Sequence, residues 1–326
     1  MKSLVFSCFL LFLVSELHAK ASFFIKGKVL SEKQFYIRTH DFSFKVEPDK
    51  NGDFEMELKT EALPTYISVF YISKSNKRES LAPLIWIALE SNNPTLEITD
   101  DTIKLSRKSE MQKLSERIEN SEKKERIEII QYNTSHIPAL YFLDKEKENI
   151  DQEELARILE QIPAQNQSHF YAKRTNAYYA AIQREKTKKG STLENFSLKD
   201  ETGERHEMMA LKNKTKIIAI LSSGCDYSLA SLSLLEQVSQ YGNDKIEIIS
   251  IWAEQSGTPW KMDERKQKEK IAWTNLWDQY SFAYHYLRVK AYPTFLIVNP
   301  EGTILDKFTG FSKRTAKKLG AVVKEY

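Results

Sequence analysis

The run Lys216-Ile217-Ile218-Ala219-Ile220-Leu221-Ser222-Ser223-Gly224-Cys225-Asp226-Tyr227-Ser228 decides how this chain is read. From Ile217 to Leu221 every residue is apolar and most are aliphatic and branched, the pattern of a strand buried on both faces. Small residues then make a turn, and Cys225 follows. Apolar residues recur at Leu229, Leu232, Leu235 and Val238, the spacing of one helix face. The cysteine is therefore expected at a helix N-terminus, where unpaired backbone N–H groups and the helix dipole favour an anion. The thiolate, not the thiol, is the nucleophile in cysteine chemistry. Gly224, Asp226, Tyr227 and Ser228 flank it and complete the candidate site.

Strands and helices alternate on either side of this run. A short strand at Phe196–Leu198 and a turn at Thr202-Gly203 precede it. Ile246–Trp252 reads as a second apolar strand, Met262 to Trp273 as a polar helical stretch, and Thr294–Val298 as a third strand. Asn299-Pro300-Glu301-Gly302 is a hairpin signal, Thr303–Phe308 the return strand, and Ser312 to Lys324 a closing helix. Over residues 190–326 this β-α-β-α-β-β-α order predicts an α/β unit, a mixed sheet with helices on both faces.

Upstream, residues 22–104 read as a small antiparallel β domain. Phe42, Phe44 and Val46 alternate with polar residues, as do Phe54, Met56 and Leu58. Between them Pro48-Asp49-Lys50-Asn51-Gly52-Asp53 carries the Asn-Gly pair that favours a type I′ hairpin. Further β-prone runs lie at Tyr66–Ile72, Leu84–Leu89 and Leu96–Thr99. The segment holds no His/Cys/Asp cluster and no glycine-rich phosphate loop, so it reads as a packing or docking module. Residues 105–189 form a helical linker region, with Met111, Leu114, Ile118, Leu155, Ile158, Leu159 and Ile162 at helical spacing. Asp151-Gln152-Glu153-Glu154 reads as an N-cap with its capping-box glutamate. Tyr171, Tyr178, Tyr179 and Ile182 make an aromatic stripe that reads as core. The charged run Arg184 to Gly190 reads as a solvated linker.

Residues 1–21 read as a targeting segment. Lys2 is the charged start, Leu4 to Val14 the apolar run, and Ala19 and Ala21 the small residues before a cleavage point. So short a run is too short for a bilayer and has the form of a secretory signal. Cys8 lies inside it, and Val5-Phe6-Ser7-Cys8 is not a lipoprotein motif because hardly any apolar run precedes it. The mature chain is then expected outside the cytoplasm with the single cysteine Cys225, which excludes an internal disulfide framework. A net charge of +3, with both signs interspersed, gives no reason to expect a nucleic-acid partner. No later stretch is apolar enough for a transmembrane span. The histidines show no metal-ligand spacing, and no cofactor or metal is expected.

These residues carry a resemblance. The last third resembles the thioredoxin-fold domain of the TlpA/ResA type, exported thiol–disulfide oxidoreductases of bacteria. The strand-turn-cysteine-helix at Lys216–Val238 is one part of it. Val289-Lys290-Ala291-Tyr292-Pro293-Thr294-Phe295-Leu296-Ile297-Val298 is similar to the family's cis-proline segment and the strand after it. Asn299-Pro300-Glu301-Gly302-Thr303-Ile304 is similar to its terminal hairpin. Ile271 to Asp278 resembles the stretch before the cis-proline in members from Bacteroidota, where a small β domain also precedes the thioredoxin-like one. The resemblance implies a thioredoxin-like fold, a redox role in the periplasm or cell envelope of a Gram-negative bacterium, protein disulfide or thiol substrates, and an envelope thiol reductant. It implies that Cys225 is the nucleophile and that Tyr292 and Pro293 hold an extended substrate strand, with the 292–293 bond cis.

The departures matter as much. The family's tryptophan before the first cysteine is Gly224, its second cysteine is Ser228, and the buried acid six residues before the cysteine is Ala219. Attack on a disulfide needs only a thiolate and yields a mixed disulfide, so the losses fall on release. Ser228 is expected to tune the thiol by a hydrogen bond, and Asp226 to work against its ionisation. The sequence thus expects a monothiol, isomerase-like enzyme. A degenerate binding module without turnover is the alternative. A peroxiredoxin-like peroxidase is a lesser one, since Ser222 and Ile218 stand where that family places threonine and proline. His285 reads as a packing residue rather than a base.

Overall fold

The structure, a computed structural model, describes residues 21–38, 43–60, 65–73, 80–89, 95–100, 102–209, 213–241, 245–254 and 271–324. The targeting segment with Cys8 lies outside them but for Ala21. So does the helical stretch expected from Met262, except its last three residues.

The first strands are β1 (Ala21–Val29), β2 (Phe35–Arg38), β3 (Ser43–Lys45), β4 (Asp53–Thr60), β5 (Thr65–Ser73), β6 (Ser80–Leu89), β7 (Leu96–Ile98) and β8 (Ile103–Leu105). They form two four-stranded sheets, β4-β1-β7-β8 and β3-β2-β5-β6. Ile25, Gly27 and Val29 of β1 point inward while Phe24, Lys26 and Lys28 face solvent, the period of two that a half-buried strand requires. Ile25, Leu58 and Ile98 from one sheet meet Phe35, Ile37 and Val69 from the other in one core. The second sheet is wholly antiparallel, but in the first β1 pairs with β7 in parallel.

The Asn51-Gly52 turn differs from the expected hairpin. The strands it joins, β3 and β4, belong to different sheets. Gly52 alone takes a positive φ, +85°, while Asn51 does not, so the turn is not type I′. The Asp49 carbonyl accepts from Gly52 N–H at 3.0 Å, and the Asp49 carboxylate accepts from Asn51 and Asp53 N–H. That side-chain bonding closes a corner between sheets instead of a two-residue loop.

Six helices follow: α1 (Glu110–Asn120), α2 (Lys123–Tyr132), α3 (Ile137–Glu146), α4 (Gln152–Glu160), the single turn α5 (Ala164–Gln167) and α6 (Phe170–Ile182). Ile118, Leu155, Ile158 and Ile162 are buried in their common core, and Tyr178 and Tyr179 pack against it. Tyr66 of β5 joins this core, its ring stacked 4.3 Å from Tyr141. Asp151 caps α4, its carboxylate accepting from Glu153 N–H at 2.9 Å. Asp151→Ala is expected to destabilise the protein by about 1 kcal/mol. A urea midpoint unchanged from wild type would show that the cap contributes nothing.

The remaining strands are β9 (Ser197–Lys199), β10 (Arg205–Glu207), β11 (Thr215–Leu221), β12 (Ile246–Trp252), β13 (Thr274–Trp277), β14 (Thr294–Val298) and β15 (Ile304–Thr309). They interleave with α7 (Asp226–Tyr241), α8 (Phe282–Tyr286) and α9 (Lys313–Lys324). One seven-stranded mixed sheet results, ordered β10-β9-β13-β12-β11-β14-β15. Every residue of the central strand β11 is buried. Its side chains divide between two cores. Ile217, Ala219 and Leu221 pack with Leu232, Leu235 and Val238 of α7 and Leu319 of α9. Ile218 and Ile220 pack on the other face with Ala283 and Tyr286 of α8 and Ala181 of α6.

β11 runs parallel to β12 and antiparallel to β14, and β14 returns through a hairpin to β15. Gly302 closes that hairpin at φ +88°, a backbone conformation that favours glycine. This is the thioredoxin-like fold, with a central strand that runs into a helix through the cysteine turn. Strand β13, unrecognised as such in the sequence, pairs with β12 in parallel. The charged run expected to be a solvated linker is mostly exposed, and it is also fastened to this unit. Arg184 donates to the Asn195 carbonyl, buried Thr187 donates to the Tyr286 carbonyl, and Gly190 N–H donates to the Ile304 carbonyl.

Candidate functional site

The site forms where β11 ends. Ser222, Ser223 and Gly224 make the turn, in which Cys225 N–H donates to the Ser222 carbonyl at 3.1 Å. The Cys225 carbonyl accepts from Ser228 N–H at 2.9 Å and Leu229 N–H at 3.1 Å, the first bonds of α7. Cys225 therefore caps the helix that begins at Asp226, and it is half-buried. Asp226 and Tyr227 stand exposed on the first turn, Tyr227 with 63% of its surface open. A Cβ added at Gly224 would meet only Ser222 Oγ, at 3.9 Å, so the space beside the cysteine is open.

A second segment approaches from the start of β14. The Tyr292–Pro293 bond is cis, and the Cys225 thiol donates to the Tyr292 carbonyl at 3.6 Å. Two distant stretches thus converge, with sulfur, exposed turn and a strand-entry backbone around one open groove. Ser228 is fully buried. Its Oγ accepts from Ser222 N–H at 3.2 Å, so its bond braces the turn and not the thiol. The hydrogen bond expected from Ser228 to the sulfur gives way to this one because the first turn of α7 points the side chain back toward β11. Ala219 is fully buried among apolar neighbours.

Two carboxylates at the site had no signal of their own in the sequence. Glu254 lies just beyond β12. Leu221 pairs with Trp252 in the parallel register, so two further steps bring Ser223 beside Glu254. The Glu254 carboxylate accepts from Ser223 N–H. Its main chain is fixed as well, since Trp277 Nε1 donates to the Glu254 carbonyl at 2.8 Å and Ala253 N–H to the Leu221 carbonyl at 3.0 Å.

Asp278 directly follows β13 and is 1% exposed. Its Oδ2 accepts from Tyr284 N–H at 2.8 Å, at the start of α8. Burial pushes its carboxyl up to about 6, against the pull of the α8 backbone N–H groups and Arg174. The Tyr292 phenol is pushed up by burial first, then by Tyr284, Glu254, Asp278 and Cys225, so all of these groups act on one ring. Tyr284 packs against it with centroids 6.0 Å apart.

His285 belongs to packing rather than to this groove. It is half-buried edge-on to Tyr178, 4.8 Å between centroids. Away from the groove, Asp200, Glu204 and His206 bring one ligand atom each within 4.8 Å of one another. There the Asp200 carboxylate accepts from Thr202 and Glu204 N–H and meets His206 Nε2 at 2.8 Å, closing the turn between β9 and β10. Among the described residues no helix is long and apolar enough to cross a membrane.

No family model matches the chain, and no curated protein matches it. Solved structures do. The exposed lipoprotein thioredoxin Etrx1 from Streptococcus pneumoniae is 21% identical, covering 41% of this chain and 100% of that one, with a TM-score of 0.37. A thiol:disulfide interchange protein from a Bacteroides species is 18% identical, covering 42% of this chain and 89% of its own, with a TM-score of 0.37. A thiol-disulfide oxidoreductase from Bacteroides fragilis is 21% identical over 40% of this chain and 99% of that one, with a TM-score of 0.36.

Proposed function

We propose that this chain is a thiol–disulfide oxidoreductase that works through one nucleophilic cysteine in a Cys-x-x-Ser site, of the TlpA/ResA-like type. The observation that carries the reading is the position of Cys225. It caps α7, half-buried beside an open groove, with its sulfur 3.6 Å from the Tyr292 carbonyl ahead of the cis-proline. A thiolate there meets a substrate disulfide while the substrate backbone lies along Tyr292-Pro293. Attack forms the Cys225–substrate disulfide and expels the other substrate sulfur as a thiolate. A second thiol on the substrate, or a partner thiol, then releases Cys225. With Ser228 in place of a resolving cysteine, release is not internal, which makes the cycle isomerase-like. The apolar N-terminal run supports an exported protein of the cell envelope, with protein disulfides and thiols as substrates.

The test is to mix the reduced protein with a disulfide-bonded peptide, quench with acid and read the intact mass. A stable 1:1 mixed disulfide is expected, absent from Cys225→Ala. A thiol that resists iodoacetamide near neutral pH and traps no peptide would instead make the chain a thioredoxin-fold binding module, the reading that Ala219 and Ser228 favour.

A further inference from the structure

Thiol exchange moves a proton as well as a sulfur bond. Cys225 must shed its proton to attack, and the thiol that later releases it must do the same. The strand beneath the cysteine offers no acceptor, for Ala219 is enclosed by apolar side chains including Leu232, Leu235 and Phe295. Two acids reach the site from elsewhere. Asp278 is sealed in and engaged by the N-terminus of α8, where Tyr284 N–H donates to it. An incoming thiol has no access to it.

Glu254 is different. It is half-buried, and its carboxylate accepts from the Ser223 amide, two residues from the cysteine. Its backbone is clamped by Trp277 and by the continuing β11–β12 ladder. One carboxylate oxygen is committed to the turn, and a carboxylate has further lone pairs to take a proton. Burial, then Tyr284, Glu254, Asp278 and Cys225, raise the Tyr292 phenol.

Resting on the reading of Cys225 as a nucleophile, we propose that Glu254 is the proton acceptor for thiol exchange at Cys225. In release, the incoming thiol R–SH gives its proton to the Glu254 carboxylate. The R–S⁻ lone pair attacks the substrate sulfur of the mixed disulfide, a new R–S–S bond forms, and the Cys225–S bond breaks. The Cys225 thiolate then recovers the proton from Glu254. The incoming thiol is oxidised and the Cys225 half of the mixed disulfide is reduced, with no other reactant. The same carboxylate takes the Cys225 proton in the attack step, by reversibility.

The experiment uses the full chain charged at Cys225 with hydroxyethyl disulfide, a neutral adduct that does not itself attract Glu254. Dithiothreitol is added between pH 6 and 9.5, and release is read by acid quench and intact mass. Glu254→Gln keeps an oxygen for the Ser223 amide. Its release is expected to be slower by about tenfold or more at pH 7. The gap should close as pH passes about 8.5–9, where the reductant supplies its own thiolate. Added formate should restore part of the rate in Glu254→Ala. Glu254→Asp, a carboxylate on a shorter stem, should fall between wild type and Glu254→Gln and guards against a Gln variant that does not fold.

Rates of Glu254→Gln within twofold of wild type at every pH would overturn the proposal and leave Cys225 as the nucleophile. So would a loss independent of pH and untouched by formate, which marks a purely structural residue. A wild-type protein that never forms the adduct would overturn the reading of the site itself, and this proposal with it.

Discussion

Ser228→Cys is expected to turn a one-thiol site into a two-thiol one. Cys225 caps α7 and Ser228 follows three residues on, with Ser228 N–H donating to the Cys225 carbonyl at 2.9 Å. That spacing on a first helical turn sets the two Cα atoms roughly 5 Å apart, inside the span a disulfide bridges. Serine and cysteine differ little in size, so the buried position should accept the change. The loss is the bond from Ser222 N–H to Ser228 Oγ, since sulfur is a weak acceptor. That should destabilise the reduced form by about 1 kcal/mol.

The gain is larger. A thiol held against the mixed disulfide resolves it intramolecularly, where the alternative is collision with a dilute external thiol. Mixed disulfides of the variant should become short-lived, and the oxidised protein should be lighter by two hydrogens in intact mass. Reduction of a disulfide peptide with dithiothreitol as the reductant should rise by about tenfold or more. Cys225→Ala in the same background should remove both effects. A variant that forms no internal disulfide, or forms one without faster turnover, would show a groove that has lost more than a thiol. The binding-module reading would then be the better one.

What the sequence showed of this site was local. Ile217 to Leu221 and the helical spacing after Cys225 reflect strand and helix periods within one stretch of chain, and β11 and α7 stand where that pattern puts them. The hairpin at Asn299–Gly302 was legible for the same reason, since its asparagine and glycine act on their own backbone. Features that depend on partners far along the chain were not legible. Asn51-Gly52 announced a turn, but nothing near it says that β3 and β4 enter different sheets. Strand β13 was obscured by Asn275, a polar residue in mid-strand that suits a buried position only because Ser250 and Trp252 donate to its Oδ1. Glu254 and Asp278 sit beyond the ends of β12 and β13, and what brings the first to the cysteine turn and encloses the second is a property of the folded sheet. The partner of Ser228 Oγ, Ser222 N–H, was not legible either, because a helix start fixes side-chain direction more tightly than spacing alone reveals.

The second large effect is a pair of opposed pH dependences in the packing behind the groove. Asp278 is fully enclosed, and burial raises its carboxyl to about 6, against about 3.9 in an unfolded chain. Between pH 4 and 6 the folded protein keeps a proton that the unfolded chain has shed. Stability from this group is therefore present below about pH 4 and lost as pH rises through 6. His285 behaves oppositely. Burial, then Lys147, Arg174 and Arg288, lower it to about 4, against about 6.5 unfolded. Glu148, 3.8 Å from its Nδ1, is 64% exposed and too solvated to reverse this.

Here the unfolded chain binds the proton, so stability is present above about pH 6.5 and lost as pH falls through 4. Each shift corresponds to about 3 kcal/mol, and over pH 4–6 the two nearly cancel. Asp278→Asn keeps an oxygen for the Tyr284 N–H, and should leave His285 uncompensated. Relative to wild type, the variant should lose about 3 kcal/mol more as pH drops from 6.5 to 4. His285→Phe preserves a ring against Tyr178 and should leave Asp278 uncompensated. It should lose a similar amount as pH rises from 4 to 6. Urea unfolding at half-unit steps reads both slopes. Slopes of the same sign in the two variants, or no difference of either from wild type, would show that these two groups do not titrate against each other.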